Sequence, residues 1–175
     1  MTSLEDPKRR IQNLKLILDI ILEMGRSREV EDRLKMIVAK VAEIFRCSNC
    51  AFFALRLEGD KQFLVLEVAF GSSEQARNMP NPRFKPGEGV VGWVYENQQS
   101  VIIANTHQDP RLSPTSRYNS KPHSLLAVPV VVGDDTVGVI IAEQDVTDWF
   151  SGTDLQLAEV MARLVGNTIE QSTIS

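Results

Sequence analysis

Two stretches of strand-like sequence, each doubling back on itself, constrain this chain most. Residues 50–57 and 63–70 are rich in aromatic and β-branched side chains and are joined by EGDKQ, with Gly59 and Asp60 at the turn. Residues 124–132 (SLLAVPVVV) and 136–144 (TVGVIIAEQ) are joined across Gly133-Asp134-Asp135. Strands with such short connections pair antiparallel, because a parallel crossover needs a dozen or more residues. A helix and a short strand over residues 101–104 separate the two pairs, and helical stretches stand before and after them. This order excludes a doubly wound sheet. It predicts an α+β fold with a central antiparallel sheet of about five to six strands. The apolar runs of the second pair suggest strands covered on both faces, with Pro129 fitting where no ladder bond is needed.

The helices follow from periodicity. Residues 8–24 predict a helix broken at Gly25, with Ile11, Leu14, Leu18 and Ile21 on one stripe and Ile17, Ile20 and Met24 on a second. A helix apolar on two sides must bury both, so one stripe is expected on its own domain and the other on a second copy. A single wide core-facing stripe is the alternative. Residues 30–45 predict a second helix, capped by Ser27, with Glu29, Glu31 and Asp32 at its electropositive end. Its apolar face is Val30, Leu34, Ile37, Val38, Val41, Ile44 and Phe45. A last helix is expected to start near Ser151 or Thr153, with Asp154 in its first turn and Leu157, Val160, Met161, Leu164, Val165 and Ile169 along one face.

Composition narrows the function classes. The chain has 175 residues and a net charge of −4, with no basic block to serve as a nucleic-acid footprint. Its two cysteines, Cys47 and Cys50, make no disulfide framework and fit a reducing, cytoplasmic setting. Lys15 and Asp19 interrupt the apolar run of the first helix, so neither a signal peptide nor a membrane span is predicted.

Phe84 to Asn105 (FKPGEGVVGWVYENQQSVIIAN) contains the string G-x-G-x-x-G at Gly87, Gly89 and Gly92. A dinucleotide site needs a strand immediately before the glycines and, about twenty residues on, an acid at a strand end. Here a proline-bearing loop over residues 71–86 precedes them, and Asp109 falls in another loop. The glycines are therefore read as geometry: Gly87 and Gly89 for unusual backbone angles, Gly92 for close packing of a helix on the sheet. Beyond Ala104 runs a polar segment to His123, with room for one helical turn around residues 115–118, of the kind that often forms a lid. Arg111, Arg117, Tyr118, Lys121 and His123 in it offer cationic and aromatic groups for an anionic or planar ligand. Phe52, Phe70, Trp93, Leu126 and Val128 are the expected apolar lining. For each of these residues, ordinary core packing or a solvated loop is the competing account.

Three pieces in order carry a family likeness: Pro86–Arg111 (PGEGVVGWVYENQQSVIIANTHQDPR), Ser124–Ala142 (SLLAVPVVVGDDTVGVIIA) and Phe150–Glu170 (FSGTDLQLAEVMARLVGNTIE). From about residue 27 to 169 the chain resembles a GAF domain, a small-molecule-sensing fold similar to PAS. The resemblance implies terminal helices on one face of the sheet, with a ligand pocket and lid on the other. It implies an N-terminal signalling helix over 1–26, a GAF domain over 27–170 and a short tail over 171–175. The implied function is a non-enzymatic sensor that relays binding through dimerised terminal helices to an output domain such as a kinase, cyclase or transcription regulator. A structural docking module with a self-filled pocket is the alternative, and an enzyme like free methionine sulfoxide reductase a third reading.

Subtypes of the family can be tested residue by residue. Cyclic-nucleotide binders carry Asn-Lys after the last strand and then Phe-x-x-x-Asp-Glu. Here Glu143-Gln144 stand at the first pair, Phe150 and Asp154 are kept, and Leu155 replaces the Glu. That signature is largely missing, and Phe150 and Asp154 are read as a packing residue and a helix-start charge. The lid has no cysteine for covalent bilin attachment. Cys47-x-x-Cys50 lacks further zinc ligands beyond His107 and His123, and it follows a helix C-terminus, where no dipole favours a thiolate. Both cysteines are read as packing the helix–strand junction. No G-x-S-x-G elbow is present, and Ser113, Ser116, His107, His123 and Asp109 form no oriented triad.

Overall fold

The structure is a computed structural model that describes residues 29–71, 83–112 and 123–174, with Lys8 and Lys15. Of the expected first helix only Lys8 and Lys15 are described, both helical and exposed. Its two apolar stripes, Ser27 and the turn expected at residues 115–118 lie outside the described residues.

Helix α1 (Val30–Phe45) leads into β1 (Asn49–Glu58), β2 (Lys61–Gly71) and β3 (Arg83–Phe84). Then come α2 (Gly89–Asn97), β4 (Val101–Ile103), a 3₁₀ turn (Thr106–Gln108), β5 (Ser124–Val132), β6 (Asp135–Gln144) and α3 (Gly152–Ile174). The strands form one antiparallel sheet in the order β3-β2-β1-β6-β5-β4. β1 pairs with β6, so the two hairpins join edge to edge at the centre of the sheet. The two-residue β3 falls in the stretch expected to be loop and extends the edge beside β2.

Each face of the sheet has its own core. Helices α1 and α3 cover one face, burying Ile37, Val38, Met161 and Val165 against Cys50, Phe52, Leu126, Val128 and Ile140. Helix α2 lies on the other, packing Val90, Val91 and Val94 on Phe53, Leu64, Leu125, Ala127, Val139 and Ile141. β5 and β6 are therefore buried on both sides, as their unbroken apolar runs require.

The helix ends are set locally. α1 starts after Glu29, whose side chain makes no cap bond, with Glu31 and Asp32 in the first turn; it stops at Arg46, in the left-handed region at φ 49°. α3 opens with a reciprocal box: the Ser151 amide donates to Asp154 Oδ2 at 2.8 Å, and the Asp154 amide donates to Ser151 Oγ at 3.3 Å. Phe150 is buried and meets Phe45 edge to face at 6.3 Å. Phe150 and Asp154 thus have the structural jobs expected of them. α3 continues to Ile174, through residues expected to be tail.

The glycine string builds a tight turn into α2. Gly87 and Gly89 are left-handed at φ 80° and 61°. The Gly87 amide donates to the Gly92 carbonyl at 3.0 Å, and the Glu88 amide donates to the Lys85 carbonyl at 2.9 Å. The Lys85 amide donates to the Glu88 carboxylate at 2.8 Å. Those amides are committed within the turn, and the Glu88 carboxylate among them disfavours a phosphate there. Gly92 packs on the turn rather than on the sheet: a Cβ there would overlap the Lys85 carbonyl oxygen and lie 3.0 Å from the Gly87 nitrogen. Gly92→Ala is expected to cost about 1–3 kcal/mol through backbone displacement. Gly152→Ala, where a Cβ meets open space, should be neutral in the same thermal melt.

Candidate functional site

The face under α2 carries the groups whose chemistry exceeds packing. Trp93 projects from α2 and is half-buried against that core. The guanidinium of Arg111 stacks on its ring at 4.9 Å from the centroid. Asp109 holds the same guanidinium through Arg111 Nε to Oδ1 at 2.8 Å and Nη2 to Oδ2 at 2.6 Å. The Arg111 contact keeps the Asp109 carboxyl below its usual pKa. Asp109 is thus occupied by its neighbour, which removes it as a ribose ligand. The Asn105 side chain accepts from the His107 amide at 3.0 Å, and the Thr106 amide donates to the His123 carbonyl at 3.1 Å. These bonds tie the turn that delivers Arg111 to the start of β5.

At the end of the sheet where β5 begins and β6 ends, the apolar face is broken by a polar pair. Glu143 stands in register between Asn49 on β1 and Leu125 on β5. It is only 8% exposed. Burial lifts its carboxyl to a pKa of about 7, the hydrogen bond from Asn49 opposes that rise, and the charge of Asp145 adds to it. Asn49 also pairs with Gly71, and Gln144 with Ser124. The neighbouring Gln144 is purely structural. Its Nε2 donates to the Arg46 carbonyl at 2.7 Å, and its Oε1 accepts from Ser48 Oγ at 2.7 Å, joining the end of α1 to the end of β6.

The expected ligand residues scatter. Trp93 and Arg111 come together on the α2 face. His123 is exposed at the head of β5, its ring 5.4 Å from that of His107. Phe52, Leu126 and Val128 lie on the opposite face, in the core beneath α1 and α3. Phe70 pairs with Cys50, sharing that face, and is 51% exposed. The face assignment was off by one residue on β1 and β5, and a one-residue slip reverses every side chain of a strand. Phe53, Leu125 and Ala127 occupy the positions intended. Arg117, Tyr118 and Lys121 lie outside the described residues. Glu143, the acid that closes the apolar run VGVIIA, is buried on the α2 face.

Other groups fall away from this face. Cys50 is buried in the core under α1 and α3, and Cys47 packs at its margin. A cavity of about 530 Å³ opens between the far end of β5 (Pro129, Val131), α3 (Leu155, Glu159, Arg163) and the turn after α2 (Gln98, Gln99, Ser100). Among the described residues no three His, Cys, Asp or Glu cluster to hold a metal, and no helix is long and apolar enough to cross a membrane.

Known structures share this architecture. The GAF domain of a phosphoenolpyruvate-protein phosphotransferase from Coxiella burnetii superposes with a TM-score of 0.81 at 19% identity, covering 94% of this chain and 96% of that one. The corresponding domain from Acinetobacter gives 0.78 at 19% identity over 93% and 95%. Free methionine-R-sulfoxide reductase from Neisseria meningitidis, solved with its substrate, gives 0.79 at 20% identity over 99% and 96%. At such identities the likeness is one of fold. No curated protein matches the sequence. A family model for the GAF domain matches residues 29–169, and with the sheet, helices and two-faced core described above, the chain belongs to the GAF domain family.

Proposed function

We propose that this GAF domain is a non-enzymatic sensor that binds a small organic molecule on the α2 face and relays occupancy to the terminal helices. The observation that carries this reading is the Asn49–Glu143 pair. A carboxyl buried in an apolar face costs several kcal/mol unless it is hydrogen-bonded, and among the described residues Asn49 supplies that bond. A module filled only by its own side chains gains nothing from such a group. A ligand that donates a hydrogen bond to Glu143 and lays a planar or apolar part near Trp93 gives both groups a purpose. Arg111, already stacked and paired, fits a gatepost of fixed geometry.

The route to the helices runs through the sheet. Leu125 and Ile141 face the ligand side, while their chain neighbours Leu126 and Ile140 pack beneath α1 and α3. In a close-packed interior a displacement on one face is felt on the other. Two helix arrangements with different ligand affinity would then shift population on binding. The apolar stripes of residues 8–24 supply the dimer contact, and a kinase, cyclase or transcription regulator the output. The thiol-enzyme reading finds no support here, since Cys47 and Cys50 pack on the far face.

A thermal-shift screen tests the proposal, with a metabolite panel that includes cyclic nucleotides and free methionine sulfoxide. Some member is expected to stabilise the domain, by about 2.7 kcal/mol at a hundred times its Kd. Glu143→Gln and Trp93→Ala should each weaken that protection. Protection by no member, or protection untouched by both substitutions, would sink the reading. Ile11→Asp should convert the dimer to a monomer in light scattering; an unchanged oligomer rejects the dimer contact.

A further inference from the structure

Cys47 and Cys50 pack in and against the core under α1 and α3 and take no part in the proposed sensor site. Cys47 is half-buried just after α1, whereas Cys50 is fully buried at the start of β1. Both thiols pack in the one core cluster beneath α1, separated by two residues across a tight bend, and Cys47 Sγ donates to the Ala42 carbonyl at 3.8 Å. The two residues between them hold the end of β6. The Ser48 amide donates to the Glu143 carbonyl at 2.8 Å, and Ser48 Oγ donates to Gln144 at 2.7 Å. Asn49 hydrogen-bonds the Glu143 carboxyl.

We propose that Cys47 and Cys50 are a reversible oxidation site, closing to a disulfide with hydrogen peroxide and thereby shifting the Ser48–Asn49 link to Glu143. The partly exposed Cys47 is the attacking thiol and the buried Cys50 the resolving one. Cys47 sulfur attacks one peroxide oxygen, the O–O bond breaks, and one water leaves with Cys47 as a sulfenic acid. Cys50 sulfur then attacks Cys47 Sγ, the S–O bond breaks, and a second water carries off the Cys50 proton. The two thiols lose two electrons and two protons, which the peroxide takes up as two waters. Position after a helix C-terminus argues against a thiolate at Cys47, but the Cys50 contact lowers its pKa, while burial and that same contact raise that of Cys50. Drawing the sulfurs to bonding distance must move the short loop they bracket, since bonded sulfurs sit only about 2.05 Å apart.

The thiol chemistry stands apart from the sensor reading; only its effect on Glu143 rests on that reading. The reduced full chain is treated with stoichiometric hydrogen peroxide, alkylated and weighed intact and after trypsin. Residues 47–56 form one tryptic peptide holding both cysteines. That peptide is expected to lose two hydrogens and take up no alkyl group, with full reversal by dithiothreitol. Cys50→Ser should trap an added oxygen on Cys47, and Cys47→Ser should leave the buried thiol intact. Two alkyl groups after peroxide, oxygen addition without a cross-link in the unsubstituted protein, or a disulfide-linked dimer overturns the proposal. In amide NMR, Asn49 and Glu143 should shift on oxidation and return on reduction. A disulfide that leaves both resonances in place overturns the coupling to the site. Neither readout needs a ligand, so a failed metabolite screen leaves this result interpretable.

Discussion

Replacing Phe52 with alanine is expected to destabilise the domain by about 3–5 kcal/mol, seen as a lower urea midpoint at unchanged slope. The ring is 1% exposed in the core beneath α1 and α3. Its Cε2 lies 2.5 Å from where a Cβ on Gly138 would stand, so β6 presents no side chain there and the ring takes the space. Backbones held by the β1–β6 ladder cannot move in to close the hole that truncation leaves. Phe70 shares the face but is half-exposed, and Phe70→Ala is expected to cost no more than about 0.5 kcal/mol. Equal losses at the two positions, or a loss below about 1 kcal/mol at Phe52, would remove that ring from the core.

Glu143→Gln is expected to abolish a stability loss that the unsubstituted protein shows between pH 4.5 and about 7. The folded carboxyl holds its proton up to about pH 7, whereas the ordinary value is 4.5. Between those values the folded state binds more protons than the unfolded chain, so stability falls as pH rises. The contribution is fully present below pH 4.5 and gone above about 7. Its size is roughly 3 kcal/mol at about 1.4 kcal/mol per pKa unit. Denaturant melts of both proteins across this range isolate the term, because every other titrating group is common to the two. Parallel profiles would show that Glu143 titrates normally. The same substitution tests the sensor reading, so one variant links the buried acid to both stability and binding.

Much of the architecture was legible because it rests on local rules. The turns at Gly59-Asp60 and Gly133-Asp134, the helix over residues 30–45 and the opening of α3 beside Ser151 and Asp154 all follow from signals a few residues wide. The glycine string shows the same logic: its context excluded a dinucleotide, and the turn consumes its own amides. The site was less legible. Phe52 and Phe53 are adjacent aromatics, and Leu125 to Val128 is apolar throughout, so alternation gives no sign of which residues face which way. A polar residue in these runs would have set the parity; Glu143 is that residue, and it closes β6, from which no site position is expected.

From local chemistry alone, then, came the antiparallel hairpins, the helix ends and the exclusion of a dinucleotide fingerprint at Gly87–Gly92. These depend on backbone angles and hydrogen bonds among near neighbours. Tertiary structure decided which face each side chain of β1, β5 and β6 adopts, since only the packing of α1 and α3 against α2 breaks the symmetry of a strand apolar on both sides. It also decided that Asp109 serves Arg111, that Glu143 lies buried beside Asn49, and that two thiols meet beneath them. Those contacts join residues far apart in the chain or across a bend, where periodicity carries no information.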